Sequence, residues 1–335
     1  MEALRFAKHQ ALGNDFLIAL MQPDEETAFA ESQLKLPALA AQLCDRSSGI
    51  GADGLILATD MSTTQPSAAP DAPETASAAT VRQVRMTLFN SDGSSAEVSG
   101  NGLACLANEV ARTLVSSMEF CEGAEALDSI LELTVDTVDG ARRVTLSAEF
   151  ATTESGSVEL VDPLAEVHMP DVAPGPNVTA ELDEQISTVF GDTQRAIGNV
   201  GNPHLVINAV RPMNARETAD LGAAFEAHFP SGINVEFIWR TEHDGSTSAA
   251  PSSIGMSVWE RGAGLTQACG TGAVTAAMRA QDWGLVTANE ETTVEMPGGE
   301  ATISTDDDDG HPILSVWVEH LGDYEWPVRE RSPDG

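Results

Sequence analysis

The chain has 335 residues, of which 52 are acidic and 17 are basic, so its formal net charge at pH 7 is −35. A surface of this charge repels nucleic acid, and the sequence contains no apolar run of the roughly 18 residues that a membrane-spanning helix needs. Its first residues lack the apolar run of a signal peptide, so the cytoplasm is the expected compartment. The four cysteines show no metal-ligand spacing, and we expect neither a zinc site nor a disulfide framework.

The use of charged residues is informative in two further ways. The acidic residues are spread along the chain, as in proteins that stay soluble in concentrated salt, where screening weakens self-repulsion. Lys8 and Lys35 are the only lysines, and neither lies in a context that suggests a Schiff base. Because pyridoxal phosphate needs such a lysine, any chemistry at an amino-acid Cα is expected to be cofactor-free.

The first half of the chain reads as alternating strands and helices. Strands are predicted at 4–7, 16–20, 55–58, 82–89, 131–137 and 143–150, with helices at 37–44 and from about 102 onwards. Residues 61–80 are low in complexity and contain three prolines, which predicts a flexible insertion between two strands. The dipeptide Asp139-Gly140 predicts a hairpin between the last two strands.

The second half follows the same alternation. Helices are predicted at 182–190 and 217–229, strands at 204–209, 233–240 and 256–259, and a late hairpin across 306–310. Residues 243–253 read as a second loop insertion. The aspartate run at 306–309 is most simply a solvated turn, and calcium binding is the less favoured alternative, since several oxygens must converge on the ion.

Residues 256–284 place a cysteine at the start of a helix. The strand passes through a glycine-rich turn into an alanine-rich helix that begins at Thr271 and is closed by Gly284. Cys269 therefore lies at a helix N-terminus, where unpaired N–H groups and the helix dipole favour a thiolate and lower the cysteine pKa. A cysteine among alanines is also typical of a small buried hydrophobe, and spacing alone leaves both interpretations open.

A second copy of this pattern lies in the first half of the chain. Residues 99–107 read SGNGLACLA, against CGTGAVTAA at residues 269–277, and each segment opens an apolar helix. Two similar halves, each offering a helix N-terminus, predict a site between related domains that holds one carboxylate by backbone N–H groups. Ser99 and Cys269 would then lie on opposite faces of the bound molecule.

Nine short motifs in order give the chain a strong resemblance to the diaminopimelate epimerases, which are cofactor-independent amino-acid epimerases. The motifs are LGNDF (12–16), DRSSGIGADG (45–54), FNSDGSSAE (89–97), SGNG (99–102), GNPH (201–204), INVEF (233–237), ERGAG (260–264), QACGTGA (267–273) and PGG (297–299). The resemblance covers nearly all of the chain outside the two insertions.

The resemblance implies an α/β (α+β) fold of two pseudo-symmetric domains, each a curled, mostly antiparallel sheet around a central helix. We expect an N-terminal lobe at 1–138, a C-terminal lobe at 139–322, and a tail at 323–335 that returns to the first lobe. The implied partner is a small-molecule amino-acid substrate, with no cofactor and no metal. A homodimer is a family-level expectation.

The resemblance also assigns site residues. In the family, one cysteine removes the Cα proton and a second returns a proton to the opposite face. The positions carried over for proton transfer are Cys269, Ser99, His204 and Glu260. The positions carried over for substrate binding are the backbone donors Gly100, Asn101, Gly270 and Thr271, and the side chains of Asn14, Asn90, Asn202, Asn234 and Arg261. A distal ammonium suits Glu260, and a distal carboxylate suits the planar fork of Arg261.

The chain departs from the family at Ser99, which stands where the second catalytic cysteine is expected. A serine hydroxyl is a far weaker acid than a thiol, and a helix terminus contributes at most about 2 kcal/mol. The leading hypothesis is epimerisation of LL- to meso-diaminopimelate, for lysine and cell-wall precursor synthesis. The alternatives are a related cofactor-free racemase, one-base exchange enzyme or dehydratase on another amino acid, and a catalytically silent amino-acid-binding protein.

Overall fold

The computed structural model describes residues 3–31, 35–62, 80–96, 98–117, 131–152, 158–241, 252–306 and 309–327. The chain divides into two compact units. The first comprises residues 1–98, 102–165 and 317–335, and the second comprises residues 99–101 and 166–316. Strands predominate among the described elements, which we number in chain order.

The elements are β1 (Ala3–Ala11), β2 (Asn14–Met21), α1 (Pro23–Glu31), α2 (Leu36–Cys44), β3 (Gly54–Asp60), β4 (Thr80–Asn90), β5 (Ser95–Ala96), α3 (Gly100–Ser117), β6 (Leu131–Thr137), β7 (Gly140–Thr152), β8 (Val158–His168), β9 (Ala173–Pro174), α4 (Ala180–Phe190), β10 (Arg195–Asn199), β11 (Pro203–Asn208), α5 (Ala215–Glu226), β12 (Asn234–Arg240), β13 (Ser253–Glu260), β14 (Gly264–Thr266), α6 (Gly270–Asp282), β15 (Thr292–Met296), β16 (Gly299–Thr305), β17 (Pro312–Trp317) and β18 (Glu319–Pro327). Among the described helices, none combines the length and apolar character that crossing a lipid bilayer requires.

Strand pairing in the first unit follows a simple order. β1 pairs antiparallel with β2, β2 runs parallel to β3, and β3 pairs antiparallel with β4. β4 forms a short hairpin with β5, after which the chain forms α3. β6 then returns parallel to β4 and pairs antiparallel with β7. At the other edge, β18 pairs antiparallel with β1.

The second unit repeats this order. β10 is antiparallel to β11, β11 is parallel to β12, and β12 is antiparallel to β13. β13 forms a short hairpin with β14, α6 follows, and β15 returns parallel to β13 and antiparallel to β16. β9 pairs with β10 as β18 does with β1. The predicted internal repeat and the two-part α+β fold with mostly antiparallel sheets are therefore confirmed.

The equivalent helices α3 and α6 are buried for similar reasons. In α3 the apolar residues Leu103, Leu106 and Val110 are buried. In α6 all residues from Gly270 to Ala277 are buried, and the helix packs against β11, β12, β13 and β16. Small side chains along α6 allow this close approach to several strands at once.

The boundary between the two units, the two insertions and the C-terminal tail were each predicted from the sequence. The passage from the first unit to the second lies within β8, between Ala165 and Glu166, whereas the boundary expected after residue 138 falls in the β6–β7 hairpin. That hairpin itself is confirmed. Of the predicted insertions, residues 63–79 and 242–251 lie outside the described residues. Of the predicted tail, residues 323–327 belong to β18, and 328–335 lie outside the described part.

An ionic network centred on the largely buried Asp15 ties the β1–β2 hairpin of the first unit to the loop before β3. The ammonium of Lys8 lies 2.8 Å from an Asp15 carboxylate oxygen and donates to the carbonyl oxygen of Gly51. Arg46 donates to both carboxylate oxygens of Asp15, at 3.0 and 2.7 Å, and to Asp53 at 2.8 Å. Burial alone would raise the pKa of Asp15, but the hydrogen bonds from Arg46 and Lys8 outweigh it and lower the pKa to about 2.

We predict that Asp15→Asn lowers the free energy of unfolding by about 2 kcal/mol at pH 7, which is the energy equivalent of this pKa shift. Because the pKa is lower in the folded protein, the contribution is present above about pH 4 and is lost as the pH falls towards 2. Urea titrations at pH 7, 4 and 3 measure it, with the exposed Asp192→Asn as control. A difference between parent and Asp15→Asn that stays constant from pH 7 to pH 3 would contradict this account.

Candidate active site

Cys269 is the N-cap residue of α6, as the sequence predicts. Its φ and ψ are −137° and 111°, and its carbonyl oxygen accepts the first helical hydrogen bond, from Ala273. The helix ends at Asp282, and Gly284 follows with a φ of +67°, which confirms the predicted glycine stop. The sequence therefore located both ends of this helix and the position of its cysteine.

The thiol of Cys269 is buried among polar groups. Its sulfur lies 3.4 Å from the Thr271 hydroxyl oxygen, and it also has hydrogen bonds with the Gly272 backbone N–H and the Glu260 carboxylate. Burial raises the pKa of Cys269 well above that of a free thiol, and the negative charges of Glu260 and Glu236 raise it further. The expectation of a lowered pKa is therefore wrong, because burial and two carboxylates outweigh the helix terminus.

Glu260 is held at the end of β13, beside the cysteine. One of its carboxylate oxygens accepts a hydrogen bond of 2.6 Å from the Thr266 hydroxyl, across the β13–β14 hairpin. Burial raises the pKa of Glu260, while the hydrogen bonds from Thr266 and Cys269 act in the opposite direction. A carboxylate with a raised pKa and a hydrogen bond to a thiol is suited to take that thiol's proton.

His204 lies on β11 and is fully buried against Glu236 on β12. Its Nδ1 atom is 2.6 Å from a Glu236 carboxylate oxygen, and its Nε2 atom is 3.0 Å from the side-chain oxygen of Asn202. The Asn202 amide nitrogen donates to the Thr271 hydroxyl at 3.3 Å. These contacts connect the predicted residues His204 and Asn202 to the hydroxyl that touches Cys269.

The start of α3 lies against the start of α6 within the second unit. A methyl group built on Gly270 would lie 3.2 Å from the Asn101 side-chain oxygen, and one built on Gly100 would lie 4.0 Å from the Gly270 Cα atom. The same Leu314 methyl carbon would be 2.6 and 2.9 Å from the methyl groups on Gly100 and Gly270. Both glycines therefore permit close packing at the two helix starts, next to Ser99 and Cys269.

Asn234 and Arg261 lie together on the second unit. The Asn234 side-chain oxygen accepts a 2.9 Å hydrogen bond from the Arg261 backbone N–H. The Arg261 side chain is exposed, and its stem crosses Gly232, where an added methyl group would be 2.5 Å from it. Asn234 thus fixes the backbone from which Arg261 projects.

Asn14 and Asn90 belong to the first unit. The Asn14 amide nitrogen donates to Asp53 at 3.4 Å, so it joins the ionic network around Asp15. The Asn90 amide donates to the Ser94 hydroxyl at 2.9 Å in the turn after β4. The other eleven predicted site residues all belong to the second unit.

Sequence reasoning missed two residues of this cluster, Glu236 and Thr266. Glu236 carries a usable signal, since it follows the predicted residue Asn234 by two positions on a strand and therefore shares its face. Thr266 carries none, because its contact with Glu260 depends on the hairpin register.

A metal ion is the main alternative occupant of this cluster. His204, Glu236 and Cys269 offer nitrogen, oxygen and sulfur atoms that all lie within 4.8 Å of one another. Both ring nitrogens of His204 are already engaged, and the 2.6 Å separation from Glu236 is that of a hydrogen bond rather than of two ligands around a metal. The geometry therefore favours a cluster that shares protons.

Known proteins resemble this chain along most of its length. A family model described as diaminopimelate epimerase matches residues 6–161 and 197–323. The diaminopimelate epimerase of Synechococcus elongatus is 32% identical over 321 residues, covering 93% of this chain and 94% of the relative. That of Natranaerobius thermophilus is 30% identical over 334 residues, covering 95% and 96%.

Solved structures share the fold at low sequence identity. A Pseudomonas aeruginosa protein described as a predicted epimerase has a TM-score of 0.60 at 14% identity, covering 97% of this chain and 100% of the other. A hydroxyproline epimerase from Agrobacterium vitis has a TM-score of 0.52 at 11% identity, covering 99% and 93%. The family match and the two sequence relatives decide the assignment. The chain belongs to the diaminopimelate epimerase family, whose members are isomerases.

Proposed function

We propose that this protein interconverts LL- and meso-diaminopimelate, by removing a proton from Cα and returning one to the opposite face without a cofactor. The names of its relatives support the substrate, which belongs to lysine and cell-wall precursor synthesis. The observation that carries the proposal is the position of Cys269. It is a buried thiol at the start of α6, in contact with a hydroxyl, a backbone N–H and a carboxylate.

Proton removal needs Cys269 to become a thiolate. Burial and the neighbouring carboxylates raise its pKa and favour the protonated thiol, and Glu260 lies beside it as an acceptor for the proton. A substrate ammonium group adds positive charge, which favours the thiolate and lowers the cost of this transfer. The thiolate then accepts the Cα proton, and the hydrogen bonds from Thr271 and Gly272 stabilise its charge.

The substrate α-carboxylate is assigned to the two helix starts. The first backbone N–H groups of a helix have no partner within the helix, and the helix dipole favours an anion there. Gly270 and Thr271 offer such groups at the start of α6, and Gly100 offers one at the start of α3, beside Gly270. Binding a carboxylate at this point also stabilises the negative charge that develops on the substrate when the Cα proton leaves.

In this proposal, Ser99 lies on the face of the substrate Cα opposite Cys269. As a hydroxyl it can return a proton to a carbanion, whereas it is a poor base in the reverse direction. This asymmetry favours a second candidate function, in which Cys269 alone exchanges the Cα proton and inversion is inefficient.

Recognition of the distal amino-acid end falls to the asparagine and arginine side chains. Arg261 presents a planar fork of donors that matches a carboxylate, and Asn234 fixes its backbone. Asn202 completes the proposed set on the second unit. Two charged ends of one substrate explain why the site needs recognition groups beyond those at the reacting carbon.

In deuterium oxide, LL-diaminopimelate should give meso product that carries solvent deuterium at Cα. Cys269→Ala should slow this exchange by about 10²- to 10⁴-fold, the range for loss of an acid–base group. Mass spectrometry of the product measures the exchange, and Cys44→Ala, which removes a buried thiol from the first unit, is the control. Exchange without inversion would support the one-base candidate, and binding without exchange would indicate a silent binding protein.

Ser99→Cys should raise the turnover number by about tenfold or more, because a thiol is a stronger acid and its thiolate a competent base. Ser99→Ala should lower it. Coupled assays in both reaction directions measure the rates, with the exposed Ser252→Cys as control. Equal rates for the parent, the Ser99→Cys variant and the Ser99→Ala variant would remove Ser99 from the proton path.

Arg261→Lys should raise KM for diaminopimelate about tenfold while changing the turnover number less, since an ammonium cannot reproduce a bidentate contact with a distal carboxylate. Initial-rate kinetics measure both constants, and Arg240→Lys at the end of β12 is the matched control. An unchanged KM would place the distal carboxylate elsewhere.

A further inference from the structure

A continuous chain of hydrogen bonds runs through the interior of the second unit to the catalytic thiol. It begins at Glu236, passes through His204 and Asn202, and reaches Thr271, whose hydroxyl touches the Cys269 sulfur. His204 and Glu236 are fully buried, and Asn202 is partly buried. Proton transfer by Cys269 does not by itself require Glu236 or His204.

The donors in this chain all point one way. Because the Asn202 amide nitrogen donates to Thr271, its oxygen faces His204, and Nε2 of the ring must carry a hydrogen. The Thr271 hydroxyl accepts from Asn202, so its own hydrogen is available to the Cys269 sulfur. The thiol hydrogen in turn is directed to the Glu260 carboxylate.

The contact between His204 and Glu236 requires a second proton. The two atoms are 2.6 Å apart, so a hydrogen lies between Nδ1 and the carboxylate oxygen. With Nε2 also protonated, the pair has a net charge of zero. Without this shared proton the pair would be a buried anion, and the other Glu236 oxygen has no hydrogen-bond partner among the described residues to stabilise one.

We propose that Glu236 is a positioning residue, which shares a proton with His204 and thereby fixes the direction of the chain, so that Thr271 donates to Cys269 and the thiol proton goes to Glu260. The inference rests on the proposed function only in taking Cys269 as the proton-transfer group. Gly272 is part of this arrangement, because a methyl group there would lie 2.7 Å from the Glu236 oxygen that contacts His204.

The direction in which Glu236→Gln changes the pKa of Cys269 distinguishes this role from a simple charge effect. The groups that face the Cys269 sulfur are Glu260 on β13, Glu236 on β12 and His204 on β11. If Glu236 acts only as a nearby negative charge, Glu236→Gln removes that charge and lowers the pKa of Cys269. If Glu236 holds the proton on His204, the same substitution removes the positive charge of the ring together with the negative charge of Glu236. The ring is then a weaker donor, so the pKa of Cys269 rises.

The experiment is the pH dependence of alkylation of Cys269 by iodoacetamide in the substrate-free protein, followed on its peptide by mass spectrometry. Glu236→Gln and Thr271→Val should each slow alkylation about tenfold at pH 8, and Thr271→Ser should restore the rate to within about twofold of the parent. Glu226→Gln, which removes a carboxylate that accepts a hydrogen bond from the Trp259 ring in the same unit, should leave the alkylation rate unchanged. Faster or unchanged alkylation in Glu236→Gln overturns the proposal.

A second measurement needs no substitution. Nitrogen NMR of protein labelled at histidine should show both ring nitrogens of His204 protonated near pH 7. A ring with one unprotonated nitrogen contradicts the proposal even if the Glu236 variant fails to fold. Both measurements are made without substrate. A result that contradicts the role of Glu236 can therefore be distinguished from one that contradicts diaminopimelate as the substrate.

Discussion

The site depends on burying a thiol beside two carboxylates. Burial and negative charge both raise the pKa of Cys269 and so oppose its thiolate. The groups that favour the thiolate are local: the N–H of Gly272, the hydroxyl of Thr271 and the start of α6. The proposed mechanism relies on the substrate ammonium to shift this balance towards the thiolate.

The internal repeat explains how the fold builds such a site. Each unit follows one order of strand pairing in which a short hairpin leads into a buried helix. The two helix starts meet in the second unit, where Gly100 and Gly270 pack against the same Leu314 side chain. Ser99 and Cys269 occupy equivalent positions in the repeat, yet only one of them is a thiol. Under the proposed function, this difference makes the two directions of proton transfer chemically unequal.

Much of this was readable from the sequence, because glycine and alanine patterns determine local structure directly. The start and end of α6, the burial of Leu103 and Leu106 in α3, and the Asp139-Gly140 hairpin all follow from short-range rules. The boundary between the units, within β8, does not follow from such rules, since it depends on where a long strand changes partners. The predicted direction of the Cys269 pKa shift was also wrong, because the shift is decided first by burial and then by Glu260 and Glu236, which reach the thiol only through strand packing.

The central claim is that Cys269 and Ser99 flank one substrate carbon. The most direct measurement is a crystal structure of the protein with a non-reactive diaminopimelate analogue. The account predicts the Cys269 sulfur and the Ser99 oxygen on opposite sides of the same Cα atom, each roughly 3 to 4 Å away, with the α-carboxylate at the two helix starts. An analogue whose Cα atom contacts only one of the two side chains, or that binds away from α6, would contradict it.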